Sequence, residues 1–237
     1  MSSKKILEFI LGLIIVLQFN LKAQSESYQI TWNLDNTDKI GGYSVSPLNT
    51  LPSISESKGS KYLLFNGVDN ALLIKGNPLG TTQSFTIEVI IRPDSSFNPA
   101  NLEQRYLHIG KTASDKERIL LELRLLKNQK WAADVFVGSE NSSLTFLDTV
   151  HSEHLHPAGK WYNIALVYEN SRATSYINGI KDTTDKVIFH SLSDANISIG
   201  ARQNPRSWFK GGIKTIRFTN LALVPAEFLK ADSDQVK

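Results

Sequence analysis

Three groups of side chains in this 237-residue chain have the types that chemistry needs. The first is His151-Ser152-Glu153-His154-Leu155-His156. In an extended segment His154 and His156 would face one side and could share a metal ion, and imidazoles titrate near neutral pH. No third ligand is defined, and Pro157-Ala158-Gly159 follows, so the segment is predicted to be a solvated surface loop. The second group is the carboxylates. Cleavage of a glycosidic bond needs two of them flanking the bond, one as acid and one as nucleophile or base. Glu117 and Glu122 are five positions apart and fall on opposite faces of a continuous strand, while Glu88 lies alone on a polar face. Each is expected to be a solvated strand residue. The third is the loop Gln203-Asn204-Pro205-Arg206-Ser207-Trp208. Sugar binding needs an aromatic platform with planar polar groups beside it. Trp208 supplies the platform, and Arg202, Asn204 and Arg206 supply donors and acceptors. The plainer alternative is that Trp208 folds onto the edge of the domain.

These residues must be held by strands, because period-two alternation dominates after residue 60. Phe85, Ile87, Val89 and Ile91 share one face; Thr86, Glu88 and Arg92 share the other, with Ile90 an exception. Leu121, Leu123 and Leu125 alternate with Glu122 and Arg124. Trp131, Ala133, Val135 and Val137 alternate with Ala132, Asp134 and Phe136. The run from Trp161 to Tyr168 is apolar on both parities, as in a strand covered on both faces. Core packing is expected for Trp131 and Trp161. Asn178-Gly179 between short strand-like runs is a two-residue hairpin signal, and Asn66-Gly67 and Asn128-Gln129 mark further turns. Residues 37–61, rich in Gly, Ser and Pro, read as a loop, and Val224–Lys230 as a short helix with Pro225 in its first turn. The result is an all-β fold, a two-sheet antiparallel sandwich of jelly-roll type.

Composition narrows the function. There is no cysteine, which excludes disulfides and thiolate metal sites. Lys4 and Lys5 precede the apolar run Phe9–Leu17, which suits a secretory leader and is too short to span a bilayer. Cleavage after Ala23 divides the chain into a leader, residues 1–23, and a single β-sandwich domain, residues 24–237. The formal charge of +3 then falls to about +1, too little for a nucleic-acid binder. The domain is expected to be exported, to the periplasm, the cell surface or the medium, and not to be an integral membrane protein.

The segments Lys160–Tyr168 with Ile177-Asn178-Gly179, and Ile197–Arg202 with Phe209-Lys210-Gly211-Gly212-Ile213 and Ile216–Leu223, together resemble the laminin-G-like branch of the concanavalin A-like lectin/glucanase superfamily. Leu63-Leu64-Phe65-Asn66-Gly67-Val68-Asp69 resembles its opening strand, and Ser84–Pro93 the next; similarity extends over roughly residues 60–230. The resemblance implies a flat and a curved sheet, and members that bind sugars, bind proteins, hydrolyse glycans or act as spacers, so fold leaves function open. Many members hold a structural calcium through an aspartate near the first strand and another after the Gly-Ile of the closing strand. Asp69 matches the first place; Lys214 stands at the second and cannot ligate a hard cation. Lys214 argues against calcium, and no cofactor is expected. The Glu-x-Asp-x-Glu strand of related hydrolases is absent, as are the Gln-Ile-His and Tyr-x-Lys-x-Gly strands of related lyases. Arg105 and Tyr106-Leu107-His108 have the residue types of a lyase, though His108 reads as a strand cap.

The reading is an exported, non-catalytic, carbohydrate-binding (lectin-like) domain whose partner is a glycan or polysaccharide, with Trp208, Arg202, Asn204 and Arg206 as its site. The rivals are a glycoside hydrolase or polysaccharide lyase with a non-standard site, and a structural or protein-interaction domain of a bacterial envelope assembly.

Overall fold

The structure, a computed structural model, describes residues 26–111, 114, 116–147 and 151–231. The leader expected at residues 1–23 lies outside these residues. Among the described residues the strands in chain order are β1 (Gln29–Asn33), β2 (Lys39–Ile40), β3 (Tyr43–Pro47), β4 (Ser53–Ser57), β5 (Ser60–Asn66), β6 (Leu72–Ile74), β7 (Phe85–Pro93), β8 (Glu103–Gly110), β9 (Arg118–Leu125), β10 (Lys130–Ser139), β11 (Ser142–Leu147), β12 (His156–Pro157), β13 (Tyr162–Glu169), β14 (Arg172–Ile177), β15 (Ile180–Lys186), β16 (Asn196–Ile199) and β17 (Lys210–Thr219). They form two antiparallel sheets, the jelly-roll sandwich expected. The first sheet runs β15-β14-β13-β7-β17-β5-β4, with β1 also on β17; the second runs β11-β10-β9-β8-β16-β6-β3-β2, with β12 on β10. No helix among the described residues is long and apolar enough to cross a membrane.

Alternation puts one face of each sheet into a shared core. Phe85, Ile87, Val89 and Ile91 of β7 meet Leu121, Leu123 and Leu125 of β9 and Trp131, Val135 and Val137 of β10 there. Asn178 and Gly179 both take positive φ (52° and 81°), which lets the two-residue turn close β14 onto β15 with the strands' own twist. Residues 37–61 differ from expectation. They carry β2, β3 and β4 rather than a loop. Tyr-Ser-Val-Ser and Ser-Ile-Ser-Glu do alternate, but their polar partners are mostly small hydroxyls, a weak signal suited to strands at or near the sheet edges.

The outer face of the first sheet is covered by the chain's own return. After β17 the segment from Ala222 onward crosses back. Phe228 packs with Ala165 and Val167, while Leu229 and Ala231 lie against Tyr62, Ile90 and Trp161. This explains the exceptional Ile90 and the doubly apolar β13. It also places Trp161 in a small outer cluster rather than the main core. The expected helix here is a single 3-10 turn, Pro225–Glu227, because Phe228 is already extended (φ −69°, ψ 151°). An extended exit lets Phe228 and Leu229 reach different apolar patches.

Glu88 is therefore not solvated. It is fully buried under this return, where it is ion-paired to Arg217. Its other oxygen accepts from the Leu229 amide at 2.6 Å and from Asn163 Nδ2 at 3.2 Å. Arg217 also donates to the Glu227 carbonyl at 2.7 Å. A buried charge needs a counter-charge and satisfied hydrogen bonds, and the returning segment supplies part of both.

Candidate functional site

The loop after β16 is fixed at both ends. The Arg202 amide donates to the Arg206 carbonyl at 3.3 Å, and the Arg105 amide donates to the Ser207 carbonyl at 2.9 Å. Arg105 and Trp208 form an isolated parallel bridge. Asn101 reaches across from the loop before β8, its Nδ2 donating to the carbonyls of Trp208 at 2.8 Å and Gly67 at 3.1 Å. These bonds hold a half-buried indole at the wall of a cleft of about 550 Å³. The cleft is lined by Gly67-Val68, the 98–103 segment, Arg124 and Pro205–Trp208.

The candidate residues divide between two places. Trp208 and Arg206 line this cleft. Arg202 and Asn204 instead line a neighbouring one with His108, Lys75 and Lys111. Arg202 is buried. The loop turns between Asn204 and Pro205, so its first half lines one cleft and its second half the other, and adjacency in sequence did not give adjacency in space. The Trp208 cleft gains Asn98, Glu103 and Arg124. Arg124 was legible as a polar-face residue of β9, but its neighbours depend on β8 and β10 pairing.

Beneath the cleft lies a charged ladder on the outer face of the second sheet. Glu103 pairs with Arg105, and its other oxygen with Arg124 Nη1 at 3.0 Å. Arg124 Nη2 contacts Asp134 at 2.8 Å. Arg105 Nε lies 2.7 Å from Glu122, an ionic contact without hydrogen-bond angles. Asp134 and Glu122 are cross-strand partners, only 4% and 3% exposed, so Glu122 is a buried residue and not a solvated one. Burial, which outweighs Arg105, pushes the Glu122 carboxyl up to about 7. Burial also raises Asp134. Glu103 feels burial too, but Arg105 and Arg124 hold it below the usual carboxylate range. The carboxylates of this ladder are engaged by guanidinium groups, an arrangement suited to a rigid floor. Glu117 also is paired, with Lys111 at 2.8 Å.

The remaining candidates are dispersed. His154 lies in a 3-10 turn, Ser152–His154, and contacts Asp182 at 2.7 Å. His156 lies beyond that turn in β12, 5.0 Å from the Trp131 ring, so the two histidines do not sit on one extended strand. His108 accepts from the Gln203 amide at 3.0 Å. Asp69 accepts from Asn66 Nδ2 at 2.7 Å within its own loop. Lys214 sits at a β-bulge in β17, its ammonium 5.9 Å from the Trp161 ring. Lys210 pairs with Asn66, so Lys214 lies four residues away, about 13 Å along the strand. Asp69 and Lys214 do not converge, and among the described residues no three His, Asp or Glu side chains form a metal-holding group. These residues do not fit the calcium site that the resemblance implies.

A two-sheet jelly roll with an end-loop cleft defines a broad class of sandwich domains. Within it, the chain belongs to the laminin-G-like family of the concanavalin A-like lectin/glucanases superfamily, whose family model matches residues 66–228. No curated protein matches the sequence. Solved structures show the same fold at low identity. Domain 4 of AbnA, a GH43 extracellular arabinanase from Geobacillus stearothermophilus, in complex with arabinotriose, is 18% identical, with a TM-score of 0.61 over 86% of this chain and 97% of that one. The binding domain of botulinum neurotoxin serotype G is 15% identical, with a TM-score of 0.56 over 84% of this chain and 49% of that one. A SAP-like pentraxin from Limulus polyphemus is 14% identical, with a TM-score of 0.51 over 68% and 76%.

Proposed function

We propose that the protein is an exported, non-catalytic carbohydrate-binding domain and that the Trp208 cleft is its site. One observation carries the reading. A half-buried indole, pinned by backbone bonds, faces a cleft whose other walls are planar polar side chains: Arg206, Asn98, Glu103 and Arg124. Sugars offer an apolar ring face and a rim of hydroxyls, and such a cleft answers both. The arabinotriose complex of a similarly folded domain supports the class of ligand. Asn204, exposed in the neighbouring cleft, would meet a longer ligand extending along the loop, whereas Arg202 is buried there.

The engagement of Glu122, Asp134 and Glu103 by arginines supports binding over cleavage, since an acid–base pair must face the scissile bond. Binding should also survive chelation, because Asp69 is tied to Asn66 and Lys214 replaces an oxygen ligand. The apolar run at Phe9–Leu17 supports export. An envelope partner is the further expectation of such an export, tested by pull-down without sugar competition. The experiment for the site is a glycan array with the purified protein, alongside product detection on the polysaccharides bound. Binding without new reducing or unsaturated ends is expected. Turnover would replace this reading with an enzyme.

A further inference from the structure

The Trp208 cleft presents an exposed guanidinium, Arg206, and its charge bears on which sugar the cleft takes. Several of its acceptors already have a partner. The Glu103 oxygens are taken by Arg105 and Arg124. Asn98 Oδ1 accepts from the Ala100 amide at 3.0 Å, and the Trp208 carbonyl accepts from Asn101. The charged donor within reach of a ligand is Arg206. Arg206 is exposed, and among the described residues its guanidinium has no ion-pair partner. Arg124 Nε and Arg105 Nη1 also lack hydrogen-bond partners, but they are buried below the cleft and add positive charge rather than a contact. A sugar hydroxyl both gives and takes, so against a donor-only guanidinium it uses half its capacity. A carboxylate only takes, and its two oxygens fit the guanidinium fork.

We propose that this cleft selects a sugar bearing a carboxylate, with the ring against Trp208 and the carboxylate on Arg206. Arg206 is then the specificity-determining residue, and Glu103, braced by Arg105 and Arg124, keeps the floor of the cleft from collapsing onto it. The inference depends on the glycan reading of the cleft.

The test is calorimetric titration of the purified protein with oligosaccharides of galacturonate, glucuronate, mannuronate and sialic acid, each beside its methyl ester. At least one acid should bind roughly tenfold or more tightly than its ester, the scale of a charge-assisted pair. Arg206→Gln should erase that preference, while Arg206→Lys, which keeps the charge without the fork, should retain part of it. Affinity for the acid should fall as salt rises from 0.05 to 0.5 M, an illustrative range of about one decade. Trp208-dependent binding of esters and acids alike would overturn this inference and leave the glycan site standing. Preference for sulfated over carboxylated sugars would overturn the choice of carboxylate. No binding of any sugar would overturn both readings. Because Arg206 is exposed, Arg206→Gln should fold normally, which a matching melting temperature checks.

Discussion

Removing the Glu88 carboxylate should be among the most damaging single changes in this protein. Glu88 is fully buried, and Arg217, its partner, is 7% exposed. Glu88→Ala would leave that guanidinium with the Glu227 carbonyl as its remaining protein acceptor and would strip the Leu229 amide of its partner. Breaking a buried pair from one side costs about 3–5 kcal/mol. Against a total of roughly 5–15 kcal/mol, that is a large share. For a domain of this size it should lower the melting temperature by about 6–20 °C. Glu88→Gln keeps the shape and one acceptor and should cost less, about 1–3 kcal/mol. Glu88→Leu with Arg217→Leu removes both charges, and its loss should fall well below the sum of the two single leucine variants. Urea unfolding by intrinsic fluorescence gives each value, and limited proteolysis reports whether residues 222–231 detach. A loss below about 1 kcal/mol for Glu88→Ala, or strict additivity in the cycle, would refute the view that the Glu88–Arg217 pair holds the returning segment.

Other expectations follow from the same structure. Glu122 holds its proton more tightly when folded than when unfolded. Its contribution is complete below its ordinary value and is lost as pH rises through about 7. The wild type should therefore lose up to about 3 kcal/mol between pH 4.5 and 8 from this group, and Glu122→Gln should flatten the profile in urea titrations. An unchanged slope in the variant would place the pH dependence elsewhere. Gly211 has φ of 142°, and an added Cβ would come within 2.2 Å of the Arg92 carbonyl. Gly211→Ala should cost about 2 kcal/mol or more by thermal melt. Glycan binding measured after EDTA treatment should equal that before it; a loss restored by calcium would revive the metal site.

Much of the sandwich was readable because its signals are local. The alternation at Phe85–Ile91 named the buried face of β7, and Asn178-Gly179 named the β14–β15 hairpin, each from a handful of adjacent residues. What could not be read depends on contacts far apart in sequence. Glu88 looked solvated because its cover, Leu229, lies 141 positions away. Glu122 looked solvated because β9 alone does not show that Arg105 and Asp134 flank it. The candidate site was half legible. Trp208 and Arg206 stood out as an aromatic and a cation in a polar loop. The turn geometry that sends Arg202 and Asn204 elsewhere, and the strand pairing that brings in Glu103 and Arg124, have no local signature.

The central claim is that Trp208 is a sugar platform, and Trp208→Ala on a glycan array tests it most directly. The wild type should bind a definable set of oligosaccharides, and the variant, with an unchanged far-ultraviolet spectrum, should bind them at least roughly tenfold more weakly, as expected for a central aromatic contact. Equal binding by both proteins, or none by the wild type, would contradict the account.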